Sequence, residues 1–273
     1  VRLDPSFAQA DARVALGYAL YLDWAWDFPG VPRDSQLALG VRAADRALAL
    51  DSSSGDGWMA RGYLLSFRYP RTLAGVLEGL ERAVTLDPRN PEAWHQYSSW
   101  LLASGRYDEA IATSRRALVL EPGRSITFLN LGNTYELLRR DAEARLAYDS
   151  AITADPEFYA VYAFRTFVRL RDGDVAGARA DADAALRTSP LNEQYYGLAP
   201  LAAVAAYAGD SVEARRIMDR AVAPFTSRAP GPLVSQMIAM GLVSTGELHQ
   251  AMDFVERTEQ QGALLWISLR YPA

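Results

Sequence analysis

Three arginines near the middle of the chain could bind an anion. Arg165 and Arg169 are about one helical turn apart, and Arg171 follows two residues later. A guanidinium presents a planar set of N–H donors that suits a carboxylate, so one interpretation is a small anion-binding spot built on Arg165 and Arg169, with Arg171 beside it. The other interpretation is that internal acids such as Glu136 or Asp181 neutralise these arginines, because a buried, unpaired guanidinium is costly.

The sequence lacks residue types that many catalytic and metal sites require. The chain has 273 residues but no cysteine and no lysine, which excludes thiol nucleophiles, thiolate zinc sites, P-loop lysines and Schiff bases. The two histidines, His95 and His249, are too far apart in sequence for one site in a repeat array. His95 could donate a hydrogen bond to a bound peptide or be an ordinary solvated histidine, and His249 is expected at the surface. We therefore expect no enzyme activity, no cofactor and no metal site.

The acidic run Asp172-Gly173-Asp174 is too short for a calcium loop. Such a loop needs the spacing Asp-x-Asp-x-Asp-Gly and a closing glutamate, and both are missing. The run is therefore predicted to be a turn between two helices.

Charge and hydropathy exclude two further classes. The formal net charge is -5 and the pI is about 5.2, whereas a nucleic-acid-binding domain normally carries clustered positive charge. No apolar run is long enough to span a bilayer, so membrane insertion is not expected.

A period of 34 residues indicates the elements that position these side chains. Trp94 is followed by Phe128 and Tyr162 at successive steps of 34. Each unit reads as a first helix with a large apolar residue, a turn, an alanine-led second helix and a proline stop. One hairpin cannot bury its own apolar face, so the units must stack. The recurring small residues and prolines are Gly105, Ala110, Ala117, Pro122, Ala144, Ala151, Pro156, Gly173, Ala178, Ala185 and Pro190.

This pattern resembles the tetratricopeptide repeat, or TPR. The resemblance implies an all-α fold, a right-handed superhelical solenoid of helix-turn-helix hairpins that forms one domain over residues 1–273. It places the aromatic residues Trp94, Phe128, Tyr135, Tyr148 and Tyr162 at packing positions in the core. The predicted repeats cover residues 6–54, 55–90, 91–124, 125–158, 159–192, 193–228 and 229–262, with a terminal cap at 263–273.

A narrower resemblance concerns the helix ends. Leu-Asp-Pro-Ser-Phe at residues 3–7 and Arg-Ala-Val-Thr-Leu-Asp-Pro at residues 82–88 are similar to TPR tails of bacterial multidomain signalling proteins, which follow winged-helix, adenylate cyclase or serine/threonine kinase domains. This resemblance implies the interaction or sensor part of a larger protein. The chain is expected to be a fragment that begins where an earlier helix ends. A cytoplasmic location is favoured, or an extracytoplasmic one if a membrane span precedes it.

The TPR resemblance also implies a binding surface, because the first helices of such arrays face a concave groove. Aromatic and amide side chains there can hold an extended peptide, with Asn133 bonding its backbone. The alternative is that this face is merely wet surface. The predicted groove residues are Tyr63, Phe67, His95, Ser99, Asn133, Glu136, Phe167 and Arg171.

We therefore expect a non-catalytic scaffold that binds a protein or peptide partner. Two rivals remain. The chain could self-associate as a homodimer through its exposed ends or the aromatic loop around Trp24 and Trp26. It could instead sense a small anion with Arg165 and Arg169.

Overall fold

The structure is a computed structural model that describes residues 7–23, 30–67, 73–225 and 232–260. Fourteen α-helices and two short 3-10 turns, Leu191–Glu193 and Ala223–Phe225, are present in these segments, which contain no β-strand. The predicted all-α fold class is confirmed. The loop with Trp24 and Trp26 and the predicted cap at 263–273 lie outside the described residues.

The chain divides into two compact units, Val1–Pro122 and Gly123–Ala273. In the first unit three helix-turn-helix hairpins follow one another. The first helix of the second hairpin packs against the first hairpin, and the first helix of the third packs against the second. The helices are α1 (Ala8–Asp23), α2 (Arg33–Leu50), α3 (Gly55–Leu65), α4 (Leu73–Leu86), α5 (Pro91–Ala103) and α6 (Tyr107–Leu120).

The second unit contains four hairpins built in the same way. Its first helices α7, α9, α11 and α13 contact one another in sequence order, and each second helix packs on its own partner. The helices are α7 (Ser125–Leu137), α8 (Asp141–Ala154), α9 (Tyr159–Arg171), α10 (Val175–Thr188), α11 (Tyr195–Tyr207), α12 (Ser211–Val222), α13 (Pro232–Ser244) and α14 (Leu248–Gln260).

The turn inside a hairpin uses one backbone motif repeatedly. After α5, Gly105 takes a left-handed φ of 78°, and the N–H of Arg106 donates to the carbonyl of Leu101 at 2.9 Å. This bond satisfies a carbonyl that the helix end would otherwise leave without a partner. Arg139 has the corresponding position after α7 with a φ of 57°, a conformation that costs energy for any residue with a Cβ. The same motif recurs after α9, α11 and α13, at Gly173, Gly209 and Gly246.

The turns between hairpins explain the aspartate that precedes proline at the end of α4 and α8. The Asp87 carboxylate accepts the backbone N–H of Arg89 at 3.2 Å, and the Asp155 carboxylate accepts that of Glu157 at 3.0 Å. Each acid thus holds the chain as it leaves a second helix, which is the role of an aspartate in an Asx-turn.

The aromatic residues predicted for the core fall into two groups. Tyr135 and Tyr148 are buried, as predicted, but Trp94, Phe128 and Tyr162 are only half-buried. The indole N–H of Trp94 donates to the carbonyl of Pro88 at 3.0 Å, and the hydroxyl of Tyr162 donates to that of Pro156 at 3.0 Å. The polar tips of Trp94 and Tyr162 therefore bind the preceding turn, and the prediction that Trp94, Phe128 and Tyr162 are core residues is wrong.

Within each hairpin the two helices approach closely because small residues line the contact. At Gly132 on α7, for example, an added Cβ would lie 2.3 Å from a carbon of the Tyr148 ring on α8. Recurring alanines of the second helices are at most 2% exposed. These alanines are Ala83, Ala110, Ala117, Ala144, Ala151, Ala178, Ala185, Ala214, Ala221 and Ala251.

Gly132→Ala should lower the free energy of unfolding by about 1–3 kcal/mol, because the new methyl group collides with the Tyr148 ring. Urea and thermal denaturation followed by circular dichroism measure this change. Gly17→Ala on α1 is the matched control, since no atom of the described residues, apart from its chain neighbours and the backbone of its own helix, lies within 4 Å of its added Cβ. It should gain roughly 0.5–1 kcal/mol from helix propensity. An unchanged midpoint for Gly132→Ala would contradict the packing described for α7 and α8.

Candidate functional site

The hydroxyl of Tyr148 lies at the centre of a buried polar cluster in the second unit. Its oxygen is 2.7 Å from Oδ1 of Asn133 and 2.9 Å from Oε2 of Glu136. Asn133 and Glu136 are three residues apart on α7, so they share one helix face. Tyr148, Asn133 and Glu136 are 0%, 1% and 7% exposed, respectively. The contact between α7 and α8 is therefore polar on this side and almost free of solvent.

Arg171 at the end of α9 extends the cluster to a third helix. Its guanidinium donates to Oε1 of Glu136 at 2.7 Å and to Oδ1 of Asp141, at the start of α8, at 2.8 Å. The Arg171 side chain is 26% exposed, so the ion pair lies at the edge of the buried region. We call Asn133, Glu136, Asp141, Tyr148 and Arg171 the polar cluster. It holds the ends of α7 and α9 to α8 by charge and hydrogen bonds.

Burial dominates the ionisation of the cluster. It raises the pKa of Glu136 above its ordinary value of 4.5, although the charge of Arg171 and the hydrogen bonds from Arg171 and Tyr148 oppose this shift. Burial also raises the pKa of Tyr148 well above its ordinary value, and the charge of Glu136 adds to the shift. For Arg171, burial disfavours the cation, but Glu136 and Asp141 outweigh it and the pKa rises. Arg171 therefore stays charged and Tyr148 stays a neutral hydroxyl.

The amide of Asn133 is only half satisfied. Its Oδ1 lies 2.7 Å from the hydroxyl of Tyr148, whereas its Nδ2 is buried and has no hydrogen-bond partner among the described residues. A buried amide donor without a partner is uncommon in folded proteins, because desolvation of the group is not compensated. This nitrogen is therefore a candidate contact for a ligand.

A second ion network lies between α8, α9 and α10. Asp181 on α10 accepts two hydrogen bonds from Arg165, at 2.8 and 2.6 Å, and lies 3.0 Å from Nε of Arg169. Arg165 also donates to Asp149 on α8 at 2.5 Å, and Arg169 contacts Asp174 at 3.3 Å. The side chains of Arg165 and Asp181 are 11% and 5% exposed. Both arginines are thus charge-paired inside the unit.

These contacts correspond to the interpretation in which internal acids neutralise the three arginines. Asp181 pairs with Arg165 and Arg169, and Glu136 pairs with Arg171. An anion would have to compete with these carboxylates for the same donors. The anion-binding spot at Arg165 and Arg169 stays a prediction.

In the first unit the candidate groove residues lie on α3 and α5 and in the turn after α3. The rings of Tyr63 and Phe67 contact each other with centroids 5.7 Å apart. The hydroxyl of Ser99 donates to the carbonyl of His95 at 3.0 Å, one turn earlier on α5. Tyr63, His95 and Ser99 are at most 6% exposed, and Phe67 is half-buried. His95 is thus a buried histidine, whereas His249 on α14 is exposed, as expected.

In the second unit, three of the four candidate groove residues come together. Asn133, Glu136 and Arg171 belong to the polar cluster, whereas Phe167 on α9 is 4% exposed and packs in the core. Burial on this scale is not that of a wet surface. The role of the eight residues in partner binding stays a prediction.

Two members of the cluster were not predicted as site residues. The repeat resemblance places Tyr148 at a packing position only, and Asp141, at the start of a second helix, is predicted to have a structural role there. A size pattern in the repeat could have identified Tyr148, because it stands where the neighbouring repeats have Ser114 and Ala182. Gly132 lies opposite this large ring. The hydroxyl of Tyr148 reaches past Gly132 to the polar face of α7.

The acidic run at residues 172–174 forms a turn, as predicted. Gly173 takes a φ of 78°, Asp174 caps α10 by accepting the N–H of Gly177 at 2.9 Å, and Asp172 pairs with Arg145 at 2.7 Å. Among the described residues no group of three histidines or acids could hold a metal ion. None of the described helices is long and apolar enough to cross a membrane.

With the hairpins and their buried contacts established, the fold class is a helical solenoid of two-helix repeats. Tetratricopeptide repeat family models match residues 91–134 and 127–158. The predicted tetratricopeptide repeats are therefore confirmed for residues 91–158, which include α5 to α8. No curated protein sequence matches the chain.

Solved structures with the same architecture support the fold over a longer stretch. The pilF protein of Pseudomonas aeruginosa matches with a TM-score of 0.63 and 19% identity, over 81% of this chain and 92% of that one. PilW, a type IV pilus biogenesis factor, matches with a TM-score of 0.65 and 17% identity, over 81% and 95%. A tetratricopeptide repeat protein from Parabacteroides merdae matches with a TM-score of 0.62 and 12% identity, over 93% and 94%. At these identities the likeness concerns the fold alone.

Asp181→Ala should destabilise the protein by about 3–5 kcal/mol, because it leaves the buried Arg165 short of its main partner. Chemical denaturation measures the loss. Asp183→Ala is the matched control on the same helix, since among the described residues Asp183 forms its ion pair with the exposed Arg179. That exposed pair is worth at most about 0.5 kcal/mol. Equal effects of the two substitutions would contradict a stabilising role for the buried ion pair of Arg165 and Asp181.

The stability should also depend on the ionisation of Glu136. Because the pKa in the folded state is raised above 4.5, the folded protein takes up this proton more readily than the unfolded chain. The resulting stability is present below pH 4.5 and is lost as the pH rises through the raised pKa. The unfolding free energy of the wild type minus that of Glu136→Gln should therefore fall between pH 4.5 and neutral pH in urea titrations. A difference that stays constant or rises would contradict the raised pKa.

Proposed function

We propose that this chain is a non-catalytic scaffold that binds a protein segment on the first-helix surfaces of its repeats. In the second unit the proposed surface consists of Asn133, Glu136, Phe167 and Arg171. The observation that carries the proposal is the buried Nδ2 of Asn133, which has no hydrogen-bond partner among the described residues and lies in a stretch that a tetratricopeptide repeat family model matches. An extended peptide offers main-chain carbonyls that could accept from this nitrogen.

The charges around Asn133 favour a ligand that is bound through its main-chain groups. The guanidinium of Arg171 is bound by Glu136 and Asp141, so it offers little attraction to an acidic side chain. Since Asn133 is 1% exposed, a ligand reaches it only when the surrounding side chains open locally. Association should therefore be slower than for a preformed open surface.

A second surface is proposed in the first unit. There the ring pair of Tyr63 and Phe67 could hold an apolar side chain, while His95 and Ser99 supply polar groups. This surface has the mixture of aromatic and polar groups that is typical of ligand sites.

The cellular context is part of the same proposal. The similarity of residues 3–7 and 82–88 to signalling-protein tails supports a role as the interaction part of a larger bacterial signalling protein, with a cytoplasmic location favoured. Reading the gene upstream of Val1 tests this context. A kinase, cyclase or winged-helix domain there is the expected result, and any other upstream sequence would contradict it.

The binding proposal is tested with a phage-displayed library of random peptides selected on the intact chain. The affinity of a selected synthetic peptide is then measured by fluorescence anisotropy. Asn133→Ala should weaken binding on the order of fivefold, the factor given by about 1 kcal/mol of lost hydrogen bonding. Asn133→Ala combined with Phe167→Ala should weaken it further, with helicity checked by circular dichroism.

Tyr148→Phe is the matched control, because it breaks the same hydrogen bond to Asn133 but leaves the amide in place. This variant should keep most of the affinity. Equal losses in Asn133→Ala and Tyr148→Phe would assign the effect to structure and contradict direct contact. If no peptide is selected, groove binding is wrong, and sedimentation at increasing concentration then measures self-association.

A further inference from the structure

The hydroxyl of Tyr148 contacts Asn133 and Glu136. If Glu136 is ionised and the amide of Asn133 keeps its present orientation, these two contacts cannot both be hydrogen bonds. A tyrosine hydroxyl has one proton to donate, yet two acceptor oxygens lie 2.7 and 2.9 Å away, Oδ1 of Asn133 and Oε2 of Glu136. One of these neighbours must supply a proton of its own. Two arrangements do so, and they differ in the ionisation of Glu136.

In the first arrangement Glu136 is protonated. Its carboxyl O–H donates to the oxygen of Tyr148, and the hydroxyl of Tyr148 donates to Oδ1 of Asn133. Arg171 still donates to Oε1 of Glu136. The Nδ2 of Asn133 then faces away from Tyr148 as a donor that has no partner in the described part of the chain.

In the second arrangement Glu136 is ionised. Tyr148 donates to Oε2 of Glu136, and the amide of Asn133 is rotated by half a turn so that Nδ2 donates to the oxygen of Tyr148. Oxygen and nitrogen of an amide have nearly the same size, so the rotation needs no new space. The carbonyl of Asn133 now faces away from Tyr148 as an acceptor. Each contact in both arrangements joins one donor to one acceptor.

The groups around Glu136 make both arrangements accessible. From α8 it faces Tyr148 and the carboxylate of Asp141, from α9 it faces Arg171, and its neighbour on α7 is Asn133. Burial and Asp141 favour the neutral carboxyl, whereas Arg171 and Tyr148 favour the carboxylate. The balance raises the pKa of Glu136 above its ordinary value of 4.5.

We propose that the ionisation of Glu136, relayed by Tyr148, selects which group of Asn133 faces a ligand: the amide N–H when Glu136 is neutral and the carbonyl when it is ionised. This inference rests on the proposed peptide-binding surface and adds its regulation. A ligand carbonyl is bound in the neutral state, and a ligand N–H in the ionised state. The side-chain amide of Asn133 thus binds either a main-chain carbonyl or a main-chain N–H of a peptide, depending on the pH.

The test follows the side-chain amide of Asn133 in the free protein by nuclear magnetic resonance. The chain has four asparagines, Asn90, Asn130, Asn133 and Asn192, so [15N]asparagine labelling gives a simple spectrum. Asn133→Ala assigns the signal by its loss. The Asn133 amide signals should shift with pH, with the same midpoint as the 13C-labelled carboxyl of Glu136, and that midpoint should lie above 4.5.

Two variants separate the relay from other effects of pH. Glu136→Gln keeps the shape of the side chain but cannot titrate, and should abolish the Asn133 shift. Tyr148→Phe should leave the Glu136 titration in place but uncouple Asn133 from it. Backbone amide spectra check that each variant is folded. If Tyr148→Phe is not folded, the comparison of the wild type with Glu136→Gln decides whether Asn133 responds to Glu136.

The proposal is overturned if Glu136 titrates while the Asn133 amide does not respond, or if Asn133 shifts equally in Glu136→Gln. A Glu136 midpoint at or below 4.5 would overturn it as well. These outcomes concern the free protein, so they are independent of peptide selection. A working relay without any selected peptide would refute the binding function and leave the relay intact.

Discussion

The close approach of two helices within each hairpin is the contact on which the rest of the fold depends. Alanines at fixed places in the second helices are almost completely buried, and glycine at position 132 leaves room for the Tyr148 ring. A larger residue at such a point separates the helices, which would also displace the face presented to the next hairpin. Because each hairpin depends on its neighbours for burial, a local packing error is transmitted along the array.

The same close packing explains why the arginines Arg165, Arg169 and Arg171 on α9 are each paired with acids. Arg165 stands in a position that is apolar one repeat earlier, at Leu131, and its side chain is 11% exposed. Desolvation of a guanidinium is compensated only if carboxylates with good geometry surround it, and Asp149 and Asp181 meet that condition. The arginines therefore hold helices together, and this role competes with any role in binding a free anion.

The polar cluster around Tyr148 combines structural and functional constraints. Its ring packs on Gly132, and its hydroxyl connects an amide to a buried acid, so the orientation of Asn133 is linked to the protonation of Glu136. Low solvent exposure makes each unsatisfied donor costly and hence makes the network respond as a unit. A binding surface built on such a network would be selective and sensitive to pH, whereas an open, hydrated surface would be neither.

The sequence by itself determined the helices, their order and the repeat family, because the 34-residue spacing of small residues, glycine turns and proline stops depends on local backbone geometry. It also allowed two interpretations of Arg165, Arg169 and Arg171, an anion-binding spot or pairing with internal acids, and the structure contains the pairs with acids. Tertiary structure alone decided which acid meets which arginine, that Trp94 and Tyr162 bind the preceding turns, and that Tyr148 joins the candidate site. These outcomes depend on distances between side chains on different helices, which a spacing along the chain does not specify.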